Sequence, residues 1–174
     1  AVDTHALALP NGFRMQDFPA LFGKYEVQDL SSQRTIAYMD AKNGEQWWDA
    51  CTASGGKALM FLDKYPFVDL MVSDIRLSIL RNLNDRFDKA KVKSPARQKI
   101  LDLTADTHSI LGSEKFNGII LDVPCSGSGT WGRTPEMIKQ FSKEKLNEVS
   151  TLQKKIASNV IKHLEKGSPL IYLT

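Results

Sequence analysis

The most informative stretch of the chain reads Asn117-Gly-Ile-Ile-Leu-Asp-Val-Pro-Cys-Ser-Gly-Ser-Gly-Thr130. Its short apolar run, residues 119–121, is typical of a buried strand. Asp122, Pro124 and Cys125 follow that strand in a loop rich in glycine and serine. In α/β proteins, ligands and reacting groups lie at the carboxyl ends of the strands, so this loop is the first candidate for a functional site.

An alternation of strand, turn and helix extends to both sides of this stretch. Apolar patterning predicts five strands, at residues 46–50, 67–73, 99–103, 119–121 and 168–173. It predicts helices at residues 57–64, 75–87 and 142–165, and one from residue 31 or 32 to residue 41, with Ser142 as the N-cap of the longest. Strands joined by helices predict an α/β fold: an open, mostly parallel sheet with helices on both faces.

The pattern divides the chain into two parts. In residues 1–45, prolines and glycines interrupt every apolar window up to about residue 24, and the part is predicted to form loops and short helices that lead into the main domain. Residues 46–174 are predicted to form that domain, incomplete after its fifth strand.

Composition excludes several protein classes. The chain is 42% hydrophobic and 25% charged, as expected for a globular protein, and no apolar run is long enough for a membrane span. Cys51 and Cys125 lie far apart and each follows a predicted strand, which favours reduced thiols and a cytoplasmic location over a disulfide framework. No metal site is expected.

Charge is concentrated in the segment from Arg76 to Lys99. Eight basic residues stand there against Asp85 and Asp88, although the whole chain carries only +3. Such a segment either contacts phosphates or forms a solvated helix face, and the sequence leaves both interpretations open.

The turn between Asp49 and Lys57 and the aspartates after the next two strands suggest a nucleoside-type ligand. The small residues of the turn allow backbone N–H groups to approach a ligand, although its spacing matches neither a dinucleotide-binding nor a P-loop motif. Asp74 lies 19 positions after Gly55, close to the roughly 20-residue separation at which an acidic residue accepts ribose hydroxyls. Asp106 is a candidate acceptor for an adenine amino group, with Asp102 as its competitor and a turn-capping role as the alternative.

The loop after the fourth strand indicates the chemistry. An aromatic residue in place of Cys125 would suit amino methylation of a base, so the cysteine disfavours that reaction. Methylating carbon 5 of cytosine requires a thiolate to add at carbon 6, a group to hold the N3/N4 edge and a base to remove the carbon-5 proton. Asp122 suits the second role and Cys125 the first or the last, while a small buried cysteine in a glycine turn is the alternative.

These motifs together resemble the RNA (cytosine-5) methyltransferases of the Sun/RsmB-like group over residues 25–174. Val27-Gln-Asp-Leu-Ser-Ser-Gln33 resembles the Gln-Asp-x-Ala-Ser-Gln lead-in of the family, and Asp74 to Leu83 resembles its second cofactor motif in character. Asp49-Ala-Cys-Thr-Ala-Ser-Gly-Gly-Lys57 resembles Asp-x-Cys-Ala-Ala-Pro-Gly-Gly-Lys, with Thr52 and Ser54 in place of Ala and Pro. Residues 122–129 resemble Asp-Ala-Pro-Cys-Ser-Gly-x-Gly.

The resemblance implies a Rossmann-like catalytic domain, S-adenosylmethionine as cofactor and RNA as substrate, rRNA more than tRNA. It implies that the methionine part of the cofactor is bound by Cys51, Thr52, Ala53, Ser54, Gly55, Gly56 and Lys57. Asp74 would bind the ribose and Asp106 the adenine. Asp122 would lie beside the cofactor and hold the target cytosine, and Cys125 would assist product release rather than attack.

The attacking thiol of the family belongs to a Thr-Cys pair at the end of the fifth strand. Residues 170–174 resemble the approach to that pair and stop one residue before the cysteine. The sequence is therefore expected to be a fragment of a longer methyltransferase and inactive alone. The alternative hypothesis is a non-catalytic cofactor-binding or RNA-binding module of the same fold.

Overall fold

The computed structural model describes residues 7–10, 13–21, 23–132 and 134–174, without the side chains of Gln16 and Gln140. In this part of the chain the helices are α1 (Leu30–Arg34), α2 (Gly56–Lys64), α3 (Leu77–Ala90), α4 (His108–Leu111) and α5 (Lys143–Val160). The strands are β1 (Gln46–Asp49), β2 (Asp69–Asp74), β3 (Arg97–Ile100), β4 (Gly118–Asp122) and β5 (Leu170–Leu173). Short 3₁₀ helices span Met15–Asp17, Pro19–Leu21, Thr35–Tyr38, Ser128–Thr130, Pro135–Gln140 and Ile161–His163.

The five strands form one parallel sheet in the order β3-β2-β1-β4-β5. The chain builds outward from β1 to β3 and then returns to the other side of β1 with β4 and β5. The strand order therefore reverses between β1 and β4, which is where open α/β sheets bind their ligands. The predicted α/β class is confirmed.

Two apolar cores cover the two faces of the sheet. Trp47 packs on one face with Phe61 of α2 and Leu83 of α3, whereas Trp48 packs on the other with Phe116 and Ile156 of α5. Successive strand residues point to opposite faces, so both neighbouring tryptophans are fully buried. Gly118 is required for this packing, because a Cβ there would lie 2.4 Å from the ring of Trp47.

Two predicted strands need correction. Residues 99–103 were predicted to be the third strand, but β3 ends at Ile100 because its partner β2 ends opposite it, at Asp74. The second strand begins at Asp69 rather than at residue 67, and Phe67 is 71% exposed. The strands were predicted from runs of apolar residues, whereas the residue at which a strand ends depends on where its partner strand ends.

Two helix predictions also need correction. The last helix was predicted to reach residue 165, but α5 ends at Val160. Phe116 donates its N–H to the His163 carbonyl and accepts from Glu165, and this pairing draws the chain out of the helix. The helix predicted from residue 31 or 32 to residue 41 is shorter: α1 begins at Leu30, with Asp29 in the N-cap position, and ends at Arg34, and the 3₁₀ helix Thr35–Tyr38 follows it.

The predicted start of the longest helix is confirmed. Ser142 caps α5, since its hydroxyl accepts a hydrogen bond from the Lys145 N–H at 3.2 Å. None of the helices in the described residues is long and apolar enough to cross a membrane.

Candidate active site

Three neighbouring strands end on an aspartate. Asp74 ends β2, Asp49 ends β1 and Asp122 ends β4. Asp49 and Asp74 are buried, whereas the Asp122 side chain is 35% exposed. Since the sheet is parallel, all three carboxyl groups lie at one edge, beside the point where the strand order reverses.

The turn between β1 and α2 is held tightly against β2. The Thr52 N–H donates to the Ser73 carbonyl at 2.9 Å, and the Gly55 N–H donates to the Thr52 carbonyl at 3.0 Å. Ala53 and Gly55 have φ angles of 47° and 80°. A Cβ at Gly55 would lie 2.6 Å from Cγ of Leu83, so both the backbone angle and the packing require glycine there.

Asp49 is the carboxylate at the centre of the site, and the sequence interpretation did not assign it a role. Its Oδ2 accepts a hydrogen bond from the Thr52 hydroxyl at 2.9 Å, while its buried Oδ1 has no partner in the described part of the chain. Burial raises the pKa of Asp49 to about 7, and the nearby charges of Asp122 and Asp74 reinforce the shift against the opposing effects of Thr52 and Lys57. A buried oxygen of this kind is open to a hydrogen bond from a bound ligand or a water molecule.

The raised pKa of Asp49 predicts that the free energy of unfolding depends on pH. Because the pKa of Asp49 is about 7 in the folded protein and near 3.8 when unfolded, the folded state holds a proton that the unfolded state releases between these values. The free energy of unfolding should therefore fall as pH rises from 4 to 7, by at most about 1.4 kcal/mol per pH unit from this group. In urea unfolding, Asp49→Asn should remove that decline.

The matched control is Asp63→Asn, because Asp63 is exposed on α2. It should retain the pH dependence of the unsubstituted chain. An Asp49→Asn variant whose unfolding free energy declines with pH as steeply as that of the control would contradict the buried protonated carboxyl group.

Lys57 connects the turn between β1 and α2 to the end of β4. Its Nζ donates to Oδ2 of Asp122 at 2.7 Å, with side-chain exposures of 17% and 35%. The two residues are 65 positions apart, so the predicted cofactor turn and the predicted base-binding residue form one site. The ion pair holds the Asp122 carboxylate beside the turn between β1 and α2.

Asp74 is engaged by its neighbour Arg76. Oδ1 accepts from the Arg76 backbone N–H at 2.9 Å and from Nε at 3.0 Å, and Oδ2 accepts from Nη2 at 3.3 Å. The arginine side chain is 58% exposed, so it is free to exchange its longer bond for a ligand hydroxyl. Oδ2, unlike Oδ1, also has a second lone pair for that purpose.

The loop after β3 gives its two aspartates local roles. Asp102 accepts from the backbone N–H and the hydroxyl of Thr104, at 2.8 and 2.7 Å, which lowers the pKa of its carboxyl group. Asp106 is exposed, and its Oδ1 accepts from the His108 N–H at 3.2 Å. Both make turn-capping contacts, and the contact with adenine stays a prediction for Asp106.

The two cysteines lie in different environments. Burial raises the pKa of Cys51 to about 12, with a further contribution from the aspartates around it, so its thiol is protonated at neutral pH. Cys125 is exposed in the loop after β4. Both are free thiols, and Cys125 is the more exposed of the two.

A family model described as 16S rRNA methyltransferase RsmB/F matches residues 36–174. The chain belongs to this family. A curated relative named ribosomal RNA small subunit methyltransferase B, from Xylella fastidiosa, is 31% identical over 97% of this chain and 40% of its own length. This family member therefore spans about two fifths of the length of that relative.

Solved structures agree on the fold. PH0851 has a TM-score of 0.81 and 24% identity over 92% of this chain and 36% of its own. NSun6 from Pyrococcus horikoshii, crystallised with SFG, has a TM-score of 0.75 and 20% identity over 97% of this chain and 42% of its own. The chain thus has the Rossmann-like methyltransferase fold that the resemblance implied.

The turn between β1 and α2, which is predicted to bind the cofactor, departs from the family pattern at two positions. Thr52 stands in place of alanine and provides the hydroxyl that binds Asp49, which an alanine lacks. Ser54, in place of proline, is half-buried in the turn. Gly56 begins α2, where a Cβ would lie 2.9 Å from the guanidinium of Arg86.

The basic segment is only partly neutralised. Arg76 forms an ion pair with Asp74, and Arg86 forms one with Glu26. Arg97 forms ion pairs with both Asp69 and Glu114. The others are exposed and have no ion pair in the described residues: Arg81, Lys89, Lys91, Lys93 and Lys99. They lie on α3, in the loop before β3 and on β3, and they outnumber the exposed Asp85 and Asp88 of α3.

Proposed function

We propose that the protein to which this chain belongs transfers a methyl group from S-adenosylmethionine to carbon 5 of a cytosine in RNA. The observation that carries the proposal is the Lys57–Asp122 pair at 2.7 Å, which joins the cofactor turn to the Asp-x-Pro-Cys loop. A methyl donor and a pyrimidine bound to these two motifs would lie next to each other. Family membership supports the reaction class.

The residues present suit S-adenosylmethionine. The cofactor carries a sulfonium and an ammonium group, and the site presents the carboxyl groups of Asp49, Asp74 and Asp122 with an unpaired buried oxygen on Asp49. The turn from Cys51 to Gly56 would hold the methionine part, Lys57 its carboxylate and Asp74 the ribose. The cofactor supplies an electrophilic methyl group when bound.

The remaining roles fall to the loop after β4. Asp122 would hold the N3/N4 edge of the cytosine. In a covalent mechanism a thiolate adds at carbon 6, carbon 5 takes the methyl group, and a base then removes the carbon-5 proton so that the thiolate is expelled. We assign Cys125 to this last step, because its exposed position suits product release and the family places the attacking thiol after β5.

The substrate is proposed to be rRNA rather than tRNA, on the basis of the names of the family model and of its relatives. The exposed cations of α3 and of the following loop would contact phosphates, which supports binding to RNA. To enter this site, the cytosine would have to leave its stack. A cytoplasmic location follows from the proposed substrate and stays a prediction.

Cofactor binding is tested most simply at Asp74. Asp74→Ala should weaken the affinity for S-adenosylmethionine by about 1.5–3 kcal/mol, the range for hydrogen bonds to a charged group. Isothermal titration calorimetry on this chain measures the change, and Asp85→Ala, exposed on α3, is the control. Equal affinities in the two variants would remove Asp74 from the site, and no binding by the unsubstituted chain would contradict the cofactor-binding role of this region.

A further inference from the structure

Gln153 on α5 links the two loops that the proposed mechanism places around the target base. Its Nε2 donates one hydrogen to the Pro124 carbonyl at 2.8 Å and the other to the Thr174 hydroxyl at 2.9 Å. Its Oε1 accepts a hydrogen bond from the Tyr172 hydroxyl at 3.2 Å. The side-chain amide therefore uses both of its donors and its acceptor.

The orientation of this amide is fixed by its partners. The Pro124 carbonyl only accepts hydrogen bonds, so the nitrogen of Gln153 must face it. Tyr172 then donates to the remaining oxygen. Rotating the amide by half a turn would bring two acceptors together at Pro124, and the contacts allow a single arrangement.

The hydrogen bonds of Gln153 begin where the sheet ladder ends. The last backbone hydrogen bond between β4, with the loop that follows it, and β5 runs from the Val123 N–H to the Leu173 carbonyl, at 3.1 Å. Pro124 has no N–H and cannot extend the ladder. Beyond that point, the Gln153 side chain connects the two segments, because it donates hydrogen bonds to Pro124 in the loop after β4 and to Thr174 after β5.

From this geometry we infer that Gln153 is a positioning residue, which sets the loop bearing Cys125 against the end of β5. The inference rests on the proposed function, because it takes Cys125 and the segment that follows β5 as the two sides of the base site. Pro124 immediately precedes Cys125, and Thr174 immediately follows β5. Gln153 itself touches neither thiol, so it acts through these two neighbours.

The test compares Gln153→Met with the unsubstituted complete gene product. Methionine keeps the length and bulk of the side chain and removes its hydrogen bonds. In rRNA methylation, kcat should fall about tenfold or more, because small displacements of reacting groups are costly. The KM for S-adenosylmethionine should stay unchanged, since no partner of Gln153 lies in the cofactor turn or at Asp74.

A second readout does not depend on activity. Amide hydrogen exchange in residues 125–130 should become faster in Gln153→Met, while exchange in β1 should not change. Asn147→Ala is the matched control, because Asn147 is exposed on the same helix and its side chain makes no hydrogen bond in the described residues. It should leave both kinetics and exchange as they are.

The outcomes separate the inference from the proposed function. If Gln153→Met has the same kcat and the same amide exchange rates as Asn147→Ala, the positioning role is wrong. A fall in kcat that is accompanied by a higher KM for S-adenosylmethionine would also overturn it. If the unsubstituted protein does not methylate RNA, the proposed function fails instead. The exchange rates of residues 125–130 then decide by themselves whether Gln153 holds the loop.

Discussion

Serine in place of Cys125 is expected to trap the complete gene product on its RNA as a covalent adduct. In the proposed mechanism the attacking thiol stays bonded to carbon 6 until the carbon-5 proton is removed. Serine is a far weaker base than a thiolate, so release should slow by about 100-fold or more. Denaturing gel electrophoresis with labelled rRNA would show the adduct as a protein band of reduced mobility.

The control for this result is the Asp122→Asn, Cys125→Ser double variant. Without the Asp122 carboxylate the cytosine should not be held for attack, so the double variant should accumulate much less adduct. If Cys125→Ser turns over normally and forms no adduct, Cys125 is a structural residue of the loop. If the adduct forms equally in the double variant, the role given to Asp122 is wrong.

Asparagine at position 122 alone is expected to lower kcat for RNA methylation by about 100- to 10,000-fold, the range for a positioned acid–base group. The substitution is isosteric, but it removes the charge that Lys57 holds at 2.7 Å and places an amide against the cytosine amino group. Steady-state kinetics with saturating cofactor would measure the loss. Asp63→Asn, on the exposed side of α2, should keep full activity.

A kcat for Asp122→Asn close to that of Asp63→Asn would contradict the assignment. Calorimetry on the same variants adds a second comparison. Asp122→Asn should affect cofactor affinity less than Asp74→Ala does, because Asp122 is assigned mainly to the base. The opposite order of effects would make Asp122 primarily a cofactor ligand.

Much of the fold was predictable, because its determinants are local. The apolar run before Asp122 and the small residues around Gly55 identify strands and turns from their own composition. The ends of β3 and α5 were not predictable in this way. They depend on where β2 ends and on the pairing of Phe116 with residues 163–165, which are contacts between distant segments.

The residues of the site also separate into those predictable from the local sequence and those that depend on contacts in the folded structure. Asp74 and Asp122 were predictable because each follows an apolar strand. Asp49 had the same signal and was missed, since it was interpreted only as the start of a turn. Its unpaired oxygen, its contact with Thr52 and its raised pKa require the folded structure. Gln153 gave no sequence signal, because its three partners lie 19, 21 and 29 residues away.

The most direct test of the proposed function is to incubate the complete gene product with rRNA and methyl-labelled S-adenosylmethionine, and to identify the labelled nucleoside by chromatography and mass spectrometry. Label is expected in 5-methylcytidine. Label in an amino-methylated base, or binding of cofactor and RNA without any transfer of label, would contradict it.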